Sequence, residues 1–176
     1  RLFIWDAMKI DHAGIKLMCM SLYSNEGTPI WGQYSTMVVA HTIRSYSKYS
    51  VDYPYPVAYS FHASGGGMEY PMISFNGGRP EPDGTYSEGT KYGMIGVIIH
   101  EVGHNFFPMI INSDERQWGW MDEGLNTFVQ YLAEKEWDKD YPTRRGEPQF
   151  IVDYMKQDAK NLVPIMTSSD NIMLYG

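Results

Sequence analysis

The feature that most constrains this chain is a pair of histidines four residues apart inside its most apolar segment. His100 and His104 enclose Glu101 in the run His-Glu-Val-Gly-His. Residues at positions i and i+4 lie on one helical face about one turn apart, so both imidazoles can reach a single ligand. Glu101 is rotated from His100 by about 100° and would border that ligand. We predict a helix over residues 90–107, ended by Pro108.

The surroundings of this motif indicate a metal site. Apolar residues precede and follow it, which implies that its imidazoles and carboxylate are substantially buried. Burying a lone carboxylate costs several kcal/mol unless a partner compensates its charge. A divalent cation would satisfy all three polar groups together. A hydrogen-bonded polar cluster without a metal is the alternative interpretation.

Glu123 is the candidate for a third metal ligand, because catalytic zinc sites usually have three protein ligands and a water molecule. It lies 19 residues after His104, at the start of a second predicted helix over residues 122–137. The expected inner face of that helix carries Leu125, Phe128, Val129 and Leu132. Glu123 could instead complement the helix dipole, but Asp122 already supplies a carboxylate and an N-cap there. We therefore predict that His100, His104 and Glu123 bind one zinc ion per chain.

Side chains that orient the two histidines are also expected on this second helix. Asn126 and Thr127, one turn past Glu123, lie within helical reach of the site, and Asp122 is a further option. The sequence does not choose among the three.

The remaining elements follow from hydrophobic periodicity, turns and prolines. The stretch 2–22 lacks clean alternation, and the other predicted elements are strands at residues 15–23, 57–62 and 68–76 and helices at residues 30–50 and 150–160. With 176 residues and 43% hydrophobic content, the chain is expected to form a single domain. We predict an α+β fold, strand-rich with one helix over about residues 1–88 and helical over residues 89–176.

Charge and cysteine content narrow the possible partners. A net charge of −7 without a cluster of Lys or Arg argues against a nucleic-acid partner. Cys19 is the only cysteine, so neither an intrachain disulfide nor a cysteine zinc site can form. No run of eighteen apolar residues occurs. The chain opens on Arg1, so we expect a piece of a longer precursor, with an extracytoplasmic location preferred over a cytoplasmic one.

Two motifs together resemble a known family. The HEVGH motif with a Glu 19 residues later resembles the gluzincin zinc metallopeptidases, specifically the aminopeptidase N and leukotriene hydrolase type. Glu69, which lies 31 residues before His100, belongs to the run Gly66-Gly67-Met68-Glu69-Tyr70-Pro71, which is similar to that family's Gly-x-Met-Glu-Asn motif. The resemblance extends over residues 46–133, about half the chain.

The resemblance implies a thermolysin-like zinc metallopeptidase catalytic domain, in which a small mixed sheet is followed by helices that carry the zinc site. Glu101 would act as the general base toward the attacking water. Glu69 would bind the free α-amino group of a peptide or protein substrate, and Gly66, Gly67 and Met68 would present backbone to it. The implied function is that of an aminopeptidase. An N-terminal β domain and a C-terminal helical domain of the same precursor are also implied.

Two departures from the family pattern leave alternatives open. Tyr70 stands where the family usually has Asn, which favours a thermolysin-like endopeptidase as the alternative. The family also uses a downstream tyrosine to stabilise the oxyanion, and Tyr175 comes slightly early, so we expect that tyrosine beyond Gly176. Losing one such donor typically costs about 10²–10³ in rate. The chain would then be a zinc-bearing but catalytically weak fragment or a binding module.

Overall fold

A mixed five-stranded sheet forms one layer of the fold in the computed structural model, which describes residues 2–172. Its strands lie in the order β1-β2-β3-β5-β4 and are β1 (Phe3–His12), β2 (Ile15–Ser24), β3 (Val57–His62), β4 (Gly67–Tyr70) and β5 (Ile73–Asn76). The pairs β1-β2 and β4-β5 are antiparallel, whereas β2-β3 and β3-β5 are parallel. The predicted small mixed sheet is confirmed.

One predicted strand was wrong, and one strand was not predicted. The single strand expected over residues 68–76 is the β4-β5 hairpin, because the chain reverses at Met72, which has a φ of 63°. The side chain of Asn105 holds this turn by accepting a hydrogen bond from the Met72 backbone N–H at 2.6 Å. Strand β1 was not predicted. It is an edge strand in which only Ile10 is buried, so its sequence lacks the alternation of apolar and polar residues that indicates a half-buried strand.

Three long helices pack against one another: α1 (Ile30–Tyr49), α2 (Glu88–Gly103) and α3 (Leu125–Trp137). Helices α1 and α2 also pack against the sheet. The helix predicted over residues 150–160 is reduced to a 3₁₀ turn, Pro148–Ile151, and a single turn, α4 (Val152–Met155). Its apolar side chains are exposed, so no tertiary packing stabilises a longer helix there. Within residues 2–172, no helix combines the length and apolar character needed to cross a bilayer.

Helix α2 carries His100, is followed directly by His104, and ends earlier than predicted. The Ser87 side chain caps its start by accepting a hydrogen bond from the Thr90 N–H at 3.0 Å. Pro108 restricts the residue before it, and Phe107 is accordingly extended, with φ −132° and ψ 110°. Regular α-helix ends at Gly103, and the segment that follows, Asn105–Ile110, is kinked at Phe107.

Helix α3 differs from its prediction at its start and on its buried face. It follows a π-helical turn, Trp120–Gly124, and is not capped by a side chain. Leu125 and Phe128 are 38% and 56% exposed, so their predicted place on the inner face is wrong. The buried face is instead largely polar and includes Asn126, Gln130 and Glu134. Asn126 and Gln130 are buried because they satisfy polar groups of α2.

The three helices approach one another most closely at Gly103. A Cβ atom there would overlap the hydroxyl of Tyr46 on α1 and the side-chain carbonyl of Asn126 on α3. Those two groups are joined by a hydrogen bond of 2.8 Å, donated by the Tyr46 hydroxyl. The glycine of the HEVGH motif is therefore a packing requirement.

Gly103→Ala is expected to lower the free energy of unfolding by about 1–3 kcal/mol, because the added methyl forces the Tyr46–Asn126 pair apart. Gly93→Ala is a matched control on the same helix, since its Cβ would have no neighbour within 4 Å. That substitution should raise the free energy of unfolding by about 0.5–1 kcal/mol. Urea denaturation measures both changes, and a neutral or stabilising Gly103→Ala would contradict the close helix crossing.

Candidate metal and substrate-binding site

The three predicted metal ligands converge where α2 crosses the start of α3. Nε2 of His100 lies 3.1 Å from Nε2 of His104 and 3.1 Å from Oε2 of Glu123. Nε2 of His104 lies 3.7 Å from the same carboxylate oxygen. The hydrogen bond to His100 lowers the pKa of Glu123. These side chains therefore offer two nitrogens and one oxygen to a common point.

This arrangement fits a zinc ion. Zinc–ligand bonds of about 2.0–2.1 Å in a tetrahedron place neighbouring ligand atoms about 3.3 Å apart. The separations of 3.1, 3.1 and 3.7 Å bracket that value. A cation would also accept a lone pair from each of the two facing imidazole nitrogens. Two histidines and one glutamate are a known ligand set of catalytic zinc sites.

The ring of His104 is held in the orientation that aims Nε2 at the site. Its Nδ1 lies 2.9 Å from the carbonyl oxygen of Phe107 and 3.0 Å from Oδ1 of Asp122. Burial lowers the pKa of His104, but the contacts with Asp122 and with the Phe107 carbonyl outweigh it and raise the pKa to about 9. Asp122 thus contacts the histidine and does not cap α3, which corrects its predicted capping role.

The ring of His100 is held by two amide side chains of α3. Its Nδ1 lies 2.9 Å from Oε1 of Gln130, and the Asn126 side chain donates to the His100 carbonyl at 3.0 Å. The Gln130 amide in turn donates to Oε1 of Glu134 at 2.7 Å. The Thr127 hydroxyl instead accepts a hydrogen bond from Arg145.

Sequence reasoning missed Gln130 and Glu134. The signal for both was their spacing, since they follow Asn126 by four and eight residues on one helical face. Of the apolar residues expected on the inner face, Val129 is buried whereas Leu125 and Phe128 are exposed, and the polar part of that face was not predicted.

Glu101 is 6% exposed and lies beside the three converging ligands. Its Oε2 has no hydrogen-bond partner among the described residues. Burial raises the pKa of Glu101 to about 7, the charges of His100 and His104 oppose this shift, and the nearby carboxylate of Glu69 reinforces it. A Cβ on Gly67 would overlap the Glu101 carboxylate, so the β4 backbone lies directly against it. Glu101 can therefore exchange a proton with a group bound between α2 and β4.

Glu69 extends from β4 toward the same point. One ligand atom each of Glu69, Glu101 and His104 lie within 4.8 Å of one another, which makes these residues a second group able to hold a cation. Gly66, Gly67 and Met68 are exposed next to Glu69, and Met68 is 43% exposed. Their backbone is therefore accessible along the edge of the sheet.

Tyr70 is 49% exposed, and its ring packs edge-on against Phe75 of β5 with centroids 5.9 Å apart. The structure therefore gives Tyr70 a neighbour within the hairpin. Tyr175, the poor candidate for an oxyanion donor, lies outside the described residues, so the expectation about that tyrosine stays a prediction.

Two cavities border residues of this site. One, of about 620 Å³, is lined by Glu69, Tyr70 and Pro108, and it borders the residues that follow α2. The other, of about 630 Å³, is lined by His100 and Glu101 and extends back along α2 to Gly89. Glu69 and Glu101 thus each line one of the two cavities.

Sequence comparison finds relatives among aminopeptidases. No family model matches the chain. It is 25% identical over 118 residues to Aminopeptidase 2 of Candida albicans, covering 64% of this chain and 13% of that protein. It is 28% identical over 131 residues to Aminopeptidase M1 of Arabidopsis thaliana, and the match covers 70% of this chain and 15% of that protein. The chain thus spans about one seventh of the length of these relatives.

Solved structures with the same fold are M1 metallopeptidases. The M1 zinc metallopeptidase from Deinococcus radiodurans matches with a TM-score of 0.56 and 14% identity, covering 78% of this chain and 29% of that one. An aminopeptidase N family protein from Idiomarina loihiensis matches with a TM-score of 0.51 and 14% identity, and the match covers 74% of this chain and 25% of that one. The motif-based prediction is confirmed: in sequence and in fold, the chain resembles the M1, aminopeptidase N-like zinc metallopeptidases.

Proposed function

We propose that this chain removes amino-terminal residues from peptides as a zinc-dependent aminopeptidase. The observation that carries this proposal is the convergence of His100, His104 and Glu123 beside two further carboxylates, Glu101 and Glu69. The aminopeptidase names of the sequence relatives support it.

In this proposal, zinc bound by the three ligands supplies Lewis-acid chemistry, polarising a carbonyl and making water more acidic. Glu101 takes a proton from the attacking water and passes it to the leaving amine. The contacts of Asp122 with His104 and of Gln130 with His100 keep both rings aimed at the site.

Glu69 would determine where the substrate is cut. Its carboxylate can pair with a protonated α-amino group, and its separation from the Glu101 carboxylate is at most 4.8 Å. That short distance leaves room for only one residue between the amino group and the bond exposed to Glu101. Cleavage would therefore follow the first residue.

The test is an aminoacyl chromogenic substrate compared with its N-acetylated form, with the chain loaded with zinc. We expect hydrolysis only of the free-amine form. Glu69→Gln should lower kcat/KM for that form by about 10–100-fold, the contribution of a charge-assisted hydrogen bond. Glu81→Gln removes an acid of the loop before α2 and should change nothing.

A second candidate is a thermolysin-like endopeptidase, favoured by Tyr70 on the exposed edge strand β4, where an extended peptide could pair with the backbone. Equal cleavage of the acetylated substrate, or of an internal bond in a blocked peptide, would select it. Zinc binding without turnover of any substrate would select the binding-module alternative.

A further inference from the structure

The cavity of about 630 Å³ along α2 has a buried carboxylate in its wall that the proposed mechanism does not use. Glu134 of α3 lines this cavity together with His100, Glu101 and Gly96. The residue is only 3% exposed. The cavity thus joins the proposed reaction site to a deeply placed negative group.

The Glu134 carboxylate has unused capacity to accept hydrogen bonds. Its Oε1 accepts from the Gln130 amide at 2.7 Å, but Oε2 is buried without a partner among residues 2–172. Leaving a buried carboxylate oxygen unpaired is costly, since neither water nor protein replaces its hydration. A donor that enters the cavity would recover this cost.

Gly96 lets the Tyr141 hydroxyl and the Glu134 carboxylate approach α2 closely. A Cβ on Gly96 would lie 2.9 Å from the Tyr141 hydroxyl and 3.4 Å from Oε1 of Glu134. The Tyr141 hydroxyl itself donates to the Tyr92 carbonyl at 2.5 Å, so it does not donate to Glu134. The second carboxylate oxygen of Glu134 thus receives no hydrogen bond from Tyr141 or from any other described residue.

The positions of the two cavities determine which part of a substrate reaches Glu134. If Glu69 holds the amino terminus beside the last turn of α2, where it lies near Glu101, the peptide passes Glu101 and continues toward the N-terminal end of the helix. The residue after the cleaved bond then enters the cavity lined by Glu134. This step depends on the proposed function.

Two cations also line this cavity, at its surface. Arg144 and Arg145 are exposed, and Arg145 donates to the Thr127 hydroxyl at 3.1 Å. Their charges are screened by water, whereas the field of the buried Glu134 carboxylate is screened much less. A long side chain that reaches past the arginines therefore meets a negative group.

We propose that Glu134 binds the cationic side chain, Lys or Arg, of the residue that follows the cleaved bond. The bond would be a charge-assisted hydrogen bond from an ammonium or guanidinium group to Oε2. The chain would then prefer peptides with a basic second residue.

Peptide binding to the zinc-loaded Glu101→Gln variant, which should not cleave its ligand, measures this preference directly. Calorimetric titrations with Ala-Lys-Ala and Ala-norleucine-Ala compare a cation with a neutral side chain of similar length. We expect the lysine peptide to bind about 10–100-fold more tightly. Adding Glu134→Gln should reduce this ratio to about twofold or less.

Glu136→Gln is the matched control, because it removes the same charge two residues along α3, where Glu136 contacts Lys48 and Tyr49 of α1. It should leave the ratio unchanged. Should Glu134→Gln fail to fold, Glu134→Asp retracts the charge by one methylene and should lower the ratio at least about threefold.

Equal affinity for the two peptides in the Glu101→Gln variant would overturn the role of Glu134 and leave the proposed function intact. A lysine preference that survives Glu134→Gln would overturn it as well. Failure to bind either peptide, with no turnover of aminoacyl substrates by the unsubstituted chain, would overturn the proposed function and this inference together.

Discussion

Glu101→Gln is expected to lower kcat/KM for an aminoacyl substrate by about 10²–10⁴-fold and to leave zinc binding intact. The amide has nearly the same shape as the carboxylate but cannot take a proton from water. Glu101 lies beside the three converging ligands and is not needed to complete the ligand set. Steady-state kinetics together with metal analysis of the purified variant measure both parts of the prediction.

Glu88→Gln is the control for this loss, since Glu88 lies on the same helix, exposed to solvent, and pairs with Lys91 at 3.0 Å. It should retain full activity. A zinc-loaded Glu101→Gln variant with undiminished turnover would remove Glu101 from the role of general base.

Zinc at about a thousand times its dissociation constant is expected to raise the free energy of unfolding by about 4 kcal/mol. The reason is that only the folded chain brings Nε2 of His100 within 3.1 Å of Nε2 of His104 and of the Glu123 carboxylate. His104→Ala should remove this zinc-dependent increment, because two ligands remain where three are needed. Urea denaturation with excess zinc and with EDTA gives the increment for each variant.

His41→Ala distinguishes loss of a metal ligand from loss of another partly buried histidine. His41 lies on α1, and its Nε2 is 2.8 Å from the carbonyl oxygen of Ala133. This variant should be less stable yet keep the full zinc increment. If His104→Ala retained the increment, the zinc ion would have to be bound elsewhere in the chain.

The candidate ligand set could be predicted because it depends on local geometry. A helix of 3.6 residues per turn places His100 and His104 on one face whatever the rest of the fold does. Glu123 followed from the need for a third ligand and from its position at the start of the next helix. The structure brings these side chains together, although α2 ends at Gly103, four residues earlier than predicted.

The supporting residues could not be predicted, because their roles depend on which face of α3 meets α2. Hydrophobic periodicity selected Leu125 and Phe128 for the core, but both are exposed. The face that carries Gln130 and Glu134 is buried because the His100 ring and the Gly96 carbonyl need polar partners. Hydrophobic periodicity cannot predict which polar residues pair with buried polar groups, since it considers apolar residues only.

By itself, the sequence determined the position of the paired histidines, the choice of Glu123 and the resemblance to the aminopeptidase N type, because these depend on residue identity and spacing along the chain. Only the tertiary structure decided that Asp122 contacts His104, that the β4 hairpin brings Glu69 to Glu101, and that Glu134 lines a cavity. These contacts join residues from different elements. Their partners are chosen by packing and by the satisfaction of buried polar groups, which no local pattern encodes.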